Sequence, residues 1–562
     1  MSQSPGGFCL VLHGHLPYVA RHGLWPHGET WLYEAMAETY LPLLDLIGDI
    51  ALNGVCPAIT LGITPVLLEQ LGDEYIKTGF VEYLQSRAAL GREDRAQFLR
   101  QGEPNLAELA VQWEKWYLAK LDHFERIGRD IPKQFKLRRD EGNIQILTGA
   151  ATHAYLPLLL TDQSIRAQLG AGAAVTARYF GASSGLWLPE CAYRPASDSW
   201  RPPVLEDAGR YRPGIESFLS GMGVNHTFLD SPSIVGGQPL GVVADGRFFA
   251  SSSAQAHRDR KSGWRESLEP VGIASEPGRA EVFALARHPR LAQQVWSSKV
   301  GYPGDGNYLE FHKKHGPGGL RYWRVTDVAA SLEAKETYDP NAVGGRVYAN
   351  AQHFCSMVKD ILRDYHNRTG RRGVCVAAFD AELFGHWWFE GPKFLRDVIL
   401  TLAAEKIATP LTAQSAIAEF PPDKIMRPLE GSWGRGGDHT VWLNDETRWM
   451  WEVEHRCEKK MVRAVQALAW GGNQQLAGAL AQAGRELLLL QASDWPFVVE
   501  NQSALDYGVQ RFCLHTVRFE RAMEIGHHLA AGKALTPLES TQLAEMAEHD
   551  PVFAEIDLNW WK

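Results

Sequence analysis

"VCVAAFDAELFGHWWFEG", Val374–Gly391, joins a strand-like run to a cluster of acidic and aromatic residues. Its first six residues are apolar and have the length and character of a buried strand. The run stops at Asp380, and Glu382, His386, Trp387 and Trp388 follow within eight positions. Two carboxyls, an imidazole and two indoles directly after a strand are the kind of cluster that lines the C-terminal face of a parallel barrel.

Six further apolar runs resemble it: "FCLVL" (8–12), "PAITL" (57–61), "NIQIL" (143–147), "GLWLP" (185–189), "HTFLD" (226–230) and "EVFAL" (281–285). Helix-type patterns such as "AQHFCSMVKDILRDY" (351–365) separate most of them. Strands alternating with helices imply parallel pairing and an α/β architecture. Several runs end in polar residues: His13 and His15 after the first, His153 beyond the third, Glu190 after the fourth, Asp380 after the seventh. A doubly wound sheet is the alternative, but no GxGxxG follows an early strand.

Outward from these strands the chain divides. Residues 74–142 are rich in charge and helix formers and read as a helical insertion. Residues 232–280 are rich in Gly, Ser and Arg and read as a long functional or irregular loop. The prolines of "EFPPDK" (419–424) end the pattern, and from about 445 the spacing is helical. The expected domains are therefore a barrel over 1–73 and 143–420, the insertion 74–142, and a helical C-terminal domain 421–562.

Composition narrows the function. The 562 residues carry a formal net charge of −9, which argues against nucleic acid and for a neutral or cationic ligand. No run of about 18 apolar residues occurs, so no membrane span is expected. The N-terminus lacks a basic region and cleavage pattern and reads as the start of the fold. Seven scattered cysteines without a CxxC pair imply reduced thiols and a cytoplasmic protein, without a cysteine-built zinc site. Nineteen tryptophans, many beside charged residues or glycine, suit sugar rings, whose faces are apolar and whose rims are polar.

Glu190 in "SGLWLPECAYRP" and Asp380 each end an apolar run among aromatic neighbours. Two carboxyls on different strand ends are what glycoside chemistry requires: one attacks the anomeric carbon, and the other protonates the leaving oxygen. An apolar wall raises a carboxyl pKa, so one can stay protonated while its partner is ionised. Spacing alone allows either Asp380 or Glu382 as the second group. His13, His15 and His153 have two readings, as hydrogen-bonding groups for sugar hydroxyls or, with Asp380, as metal ligands. "GSWGRGGDHTVWLN" (431–444) adds Trp433, Asp438 and Trp442, and "QASDWPF" (491–497) adds Asp494.

Taken together, "HGHLPYV", "THAYLPLL", "GLWLPECAYRP", "QVWSSKVGYPGDG", "FDAELFGHWWFEG", "GSWGRGGDHTVWLN" and "SDWPF" resemble glycoside hydrolase family 57, and within it the glycogen branching enzyme group. The resemblance implies an incomplete (β/α)7 barrel with a helical insertion and a C-terminal all-helical domain. It implies a retaining transfer on α-1,4-glucan such as amylose or glycogen, with no cofactor and no metal. Carried over by motif, Glu190 is the nucleophile and Asp380 the general acid/base. His13, His15, His153, Trp187, Arg287, Gly304, His386, Trp387, Trp388, Trp433, Asp438 and Asp494 are the expected substrate-binding residues. The protein is expected to act as a monomer or small homo-oligomer, away from nucleic acid and membrane. One departure stands out. Many branching members carry a tyrosine at the tip of a loop after the nucleophile strand, and none occurs between Tyr211 and Tyr302; the tip position falls near Val243. Without that residue water could reach the intermediate, so a retaining α-1,4-glucan hydrolase is the alternative activity.

Overall fold

The computed structural model describes residues 4–204, 209–244, 247–250 and 267–562. All seven expected runs form strands: β1 Gly6–Gly14, β2 Ile59–Ile63, β3 Ile144–Gly149, β4 Leu186–Trp187, β5 His226–Asp230, β6 Val282–Arg287 and β7 Gly373–Asp380. Parallel ladders join β7 to β1, β1 to β2, β2 to β3, β3 to β4, and β5 to β6. Every residue of β1 is buried, as are the first seven of β7, as expected of parallel strands covered on both faces.

The wall is thin at two seams. Between β4 and β5 the pairing is the single parallel bridge Gly185–His226. A side chain at Gly185 would collide with the His226 ring, since an added Cβ would lie 2.2 Å from its Nε2. Between β6 and β7 the His288 amide donates to the Val376 carbonyl at 2.9 Å. The far edge of β6 instead pairs antiparallel with Val271–Ile273, which continues through Lys424–Arg427 to the hairpin Gln238–Ala244 and Arg247–Ala250. The sheet thus fans away from β7, and the result is an incomplete (β/α)7 barrel.

Two sequence expectations change here. The strand Lys424–Arg427 lies in the part assigned to the helical domain, but it pairs with strands on the barrel side; the long C-terminal helices begin at Arg448. The stretch 232–280 is not wholly irregular. Val243 sits inside a ladder opposite Phe248, its amide donating to the Asp423 carbonyl at 2.7 Å. Residues 245–246 and 251–266 of that stretch lie outside the described residues.

Parity decides which side chains face the axis. In β1, Cys9 and Val11 join Leu147, Trp187, Val376 and Ala378 in an inner cluster, while Phe8, Leu10 and Leu12 pack outward on the helical layer. Extending the period of two puts His13 of β1 and Asp380 of β7 on the inner side, and the ladder pairs their Cα atoms.

The insertion is a helical hairpin, α1 Glu74–Gln101 and α2 Pro104–Arg126. Asp73 caps the first helix by accepting from the Tyr75 amide, and Gly102 ends it in the left-handed conformation at φ 77°. The C-terminal part is built on α3 Arg448–Ala467, α4 Gln474–Leu490 and α5 Leu505–Ala530. Their apolar faces belong to the same core cluster as the outer faces of β1 and β7. No helix among the described residues is long and apolar enough to cross a membrane.

Candidate active site

Each strand supplies a polar side chain at or just past its C-terminal end: His13 and His15, Thr64, His153, Glu190, Asp230, Arg287, and Asp380 with Glu382. In a parallel barrel these ends share one face.

The histidines form its centre. The His15 and His153 ring centroids are 4.0 Å apart, and His13 and His153 are 4.9 Å apart. His13 Nε2 and His153 Nε2 share a hydrogen bond of 3.0 Å. The Trp187 indole stacks on His13 at 4.9 Å from the inner side. Burial, aided by the charge of His15, holds His13 and His153 well below the usual imidazole range, so both are neutral. His15 differs. Burial pulls its pKa down, but the Asp494 carboxylate 3.0 Å from Nε2, with Glu382 and Glu190 beyond, outweighs burial and raises it. His15 Nδ1 is bonded to Thr64 Oγ1 at 3.0 Å, so both ring nitrogens are held by protein groups. That arrangement makes His15 a bracing group between Thr64 and Asp494, with no ring nitrogen free for a metal.

Glu190 stands on an unusual turn. It has φ 60° and ψ 21°, and Cys191 follows at φ 49°. Two successive left-handed non-glycine residues cost on the order of 1–2 kcal/mol each. The loop 431–433 holds them in place: the Trp433 amide donates to the Glu190 carbonyl at 3.0 Å, and Tyr193 and Gly431 exchange amide–carbonyl bonds. The Trp433 indole N–H then donates to Glu190 Oε2 at 2.6 Å. His153 Nδ1 lies 3.7 Å from Glu190 Oε1 and 3.0 Å from Ser493 Oγ.

Burial raises all three acids. Glu190 is pushed up to about 8, with the Trp433 bond opposing and the Asp380 charge adding. Asp380 is pushed up to about 6, with Arg287 and His15 opposing. Glu382 is raised to about 7, against the Tyr40 hydroxyl that donates to it. These values place the proton on Glu190 before Asp380, the reverse of what a Glu190 nucleophile needs. The two carboxyls interact, so the titration belongs to the pair, and one proton shared between them is the form that has both a nucleophile and an acid. An indole N–H can only donate, so the short Trp433 bond favours Glu190 as the ionised member.

The remaining expected residues fall at different places. Arg287 donates from Nε to Asp230 Oδ1 at 3.0 Å and lies 5.0 Å from the Trp433 ring centroid. Asp494 begins the short helix Asp494–Glu500 and reaches the cluster through His15. Gly304 ends the turn Tyr302–Gly304, where an added Cβ would lie 2.9 Å from Val328. Asp438 turns to its own loop, accepting from Thr440 N and Oγ1. His386 sits in a separate buried group, 3.4 Å from Glu38, which Arg321 also pairs at 2.8 Å. Trp387 is 52% exposed and stacks on Phe311 at 4.6 Å. Trp388 is 1% exposed and enclosed by Tyr302, Tyr308, Phe384 and Phe394, a core position and not the cleft wall expected for it. Trp187 is likewise buried, as the floor under His13.

Sequence reading missed Thr64, Asp230, Tyr40 and Ser493, and passed over Glu382. Thr64 and Asp230 could have been found, because each stands at the end of a strand run. Tyr40 offers no such signal; it lies in the π-helical turn Met36–Tyr40, more than three hundred residues from Glu382.

Comparison with known proteins agrees with this architecture. The family model "Glycosyl hydrolase family 57" matches residues 9–428, and "1,4-alpha-glucan branching enzyme, C-terminal" matches 454–561. A 1,4-alpha-glucan branching enzyme of Thermococcus kodakarensis is 38% identical over 557 residues, covering 98% of this chain and 78% of the relative. The crystal structure of a branching enzyme from Pyrococcus horikoshii superposes with a TM-score of 0.88 at 36% identity, covering 99% of this chain and 97% of the other. The alpha-amylase AmyC from Thermotoga maritima superposes at 0.80 with 26% identity, covering 99% of both chains. By family model, full-length identity and fold, the chain belongs to glycosyl hydrolase family 57.

Proposed function

We propose that the protein is a 1,4-α-glucan branching enzyme acting by retaining double displacement. The ionised Glu190 carboxylate attacks C1 of an α-1,4-linked glucosyl unit. Asp380 gives its proton to the departing 4-oxygen, and the cleaved chain stays on Glu190 as an ester. The Asp380 carboxylate then takes the proton of an acceptor 6-hydroxyl, whose oxygen displaces Glu190 and forms the α-1,6 branch. His13, His15 and His153 wall the donor site and hold Asp494 and Ser493 in place, with Arg287, Trp433 and Asp494 completing it. Supporting this are two half-buried carboxyls, Glu190 raised by the charge of Asp380, beside one histidine stack, in a chain similar along its length to named branching enzymes.

The second reading is a retaining α-1,4-glucan hydrolase. The specific observation behind it is the missing tyrosine between Tyr211 and Tyr302, joined by the likeness to an α-amylase. Proton NMR of amylose incubated with the protein separates the two. New α-1,6 signals are the expected outcome; new reducing ends without them would establish hydrolysis. The protein works on free glucan as a monomer or small homo-oligomer, and its seven free thiols support a reducing, cytoplasmic setting.

A further inference from the structure

A second charged cluster lies away from the carboxylates, between the segment after β1 and the C-terminal helices. Glu486, His515, Asp550 and Arg511 are its buried members, with His22 and Arg518 at its edge. Its carboxylate and imidazole atoms are close enough together to suggest a cation site. Each is already engaged, however. His515 Nδ1 is 2.8 Å from Glu486 Oε2, and Asp550 takes His22 Nε2 at 2.6 Å on one oxygen and Arg518 on the other. The arginines supply the positive charge that a metal would bring.

The proton positions follow from chemistry. A guanidinium only donates, so Arg511 Nη2 donates to His515 Nε2 at 3.0 Å. His515 Nδ1 then carries the hydrogen and donates to Glu486. Burial, with the charge of Arg511, holds His515 well below the usual imidazole range and keeps this neutral form. The series Glu486, His515, Arg511 therefore has one direction and aims the guanidinium.

Arg511 grips two segments at once. Its Nη1 donates to the Tyr18 carbonyl and, at 2.9 Å, to the Tyr507 hydroxyl. Its Cζ lies 4.9 Å from the Trp495 ring centroid. Tyr18 lies three residues beyond His15, and Trp495 directly follows Asp494. These two segments deliver the His15–Asp494 pair, bonded at 3.0 Å.

We propose that Arg511, aimed by His515 and Glu486, is a positioning residue for the reaction. It holds the His15 segment and the Asp494 helix in register, so helix α5 sets the geometry of the donor site. The inference rests on the reading of His15 and Asp494 as substrate-facing groups. Its test is a double-mutant cycle on amylose with Asp494→Asn, Arg511→Met and the double variant, kcat and KM measured separately and folding checked by circular dichroism. Asp494→Asn is expected to lower kcat/KM. Arg511→Met is expected to lower kcat by on the order of tenfold to a hundredfold, with a smaller change in KM. The double variant should be no slower than Asp494→Asn alone, because both act through one pair. Multiplicative losses, or an unchanged kcat in folded Arg511→Met, overturn the proposal. Full activity in Asp494→Asn would instead sink the substrate-facing reading, and the proposal with it. If Arg511→Met does not fold, His515→Gln enters the same cycle, since it keeps the guanidinium but loosens its aim. If neither variant accumulates as folded protein, Arg511 serves folding and the proposal is overturned.

Discussion

At the scale of the residue, the chemistry needs one of two half-buried carboxyls ionised while the other is protonated. Their values of about 6 for Asp380 and about 8 for Glu190 define the window. Below about 6 both carboxyls hold protons and no nucleophile remains; above about 8 both are ionised and no acid remains. The expected kcat/KM profile is a bell with limbs near these values, belonging to the pair rather than to either group. A flat profile from pH 5 to 9 would contradict the coupling. Asp380→Asn keeps the shape but cannot cycle a proton, so turnover of amylose should fall about a hundred- to ten-thousandfold. The neighbouring Glu382 is just as buried, but it accepts from Tyr40 and from the His15 amide at 3.0 Å, and so braces the ends of β1 and β7. Sequence alone could not choose between Asp380 and Glu382, because the choice depends on which side chain is tied to its neighbours.

At the scale of the element, the seven barrel strands were legible because each is a short apolar run ending in polar residues. The seams were not. Val271–Ile273 and Lys424–Arg427 are too short to show a period, and their partners are distant in sequence. The adjacent pair Trp387 and Trp388 was illegible for a similar reason: in a turn no period says which ring faces inward. The structure assigns them opposite duties, and two substitutions test it. Trp388→Ala empties a core site, a change worth about 3–5 kcal/mol, and should lower Tm by several degrees. Trp387→Ala should leave Tm nearly unchanged while raising KM for amylose if its exposed face carries glucan. Equal effects on Tm would contradict the assignment. The hairpin Gln238–Ala244 and Arg247–Ala250 is the other element with a consequence. Val243 and Phe248 pack beside Leu240 and Ile425, leaving Phe249 as the exposed aromatic. If a tyrosine there excludes water, Val243→Tyr should raise the ratio of new branches to new reducing ends; an unchanged ratio would show that the residue does not govern partition.

At the scale of the whole molecule, the proposed donor site is assembled from both ends of the chain. β1 brings His13 and His15, and a helix near residue 494 brings the carboxylate that raises the pKa of His15. The loop carrying Trp433 fixes the strained turn at Glu190 from the side of the C-terminal helices. This explains why the boundary expected at residue 421 does not fall where the chain leaves the barrel: residues 424–427 remain in its extended sheet, and 431–433 close over Glu190. Barrel and helices thus meet around Glu190, which is proposed to carry the glucan between cleavage and transfer. The most direct test is mass spectrometry of Asp380→Ala protein incubated with an α-maltosyl fluoride, whose leaving group needs no acid. A glycosyl adduct on the peptide containing Glu190 is the expected result. An adduct on another residue, or none under conditions in which the variant consumes the fluoride, would contradict it.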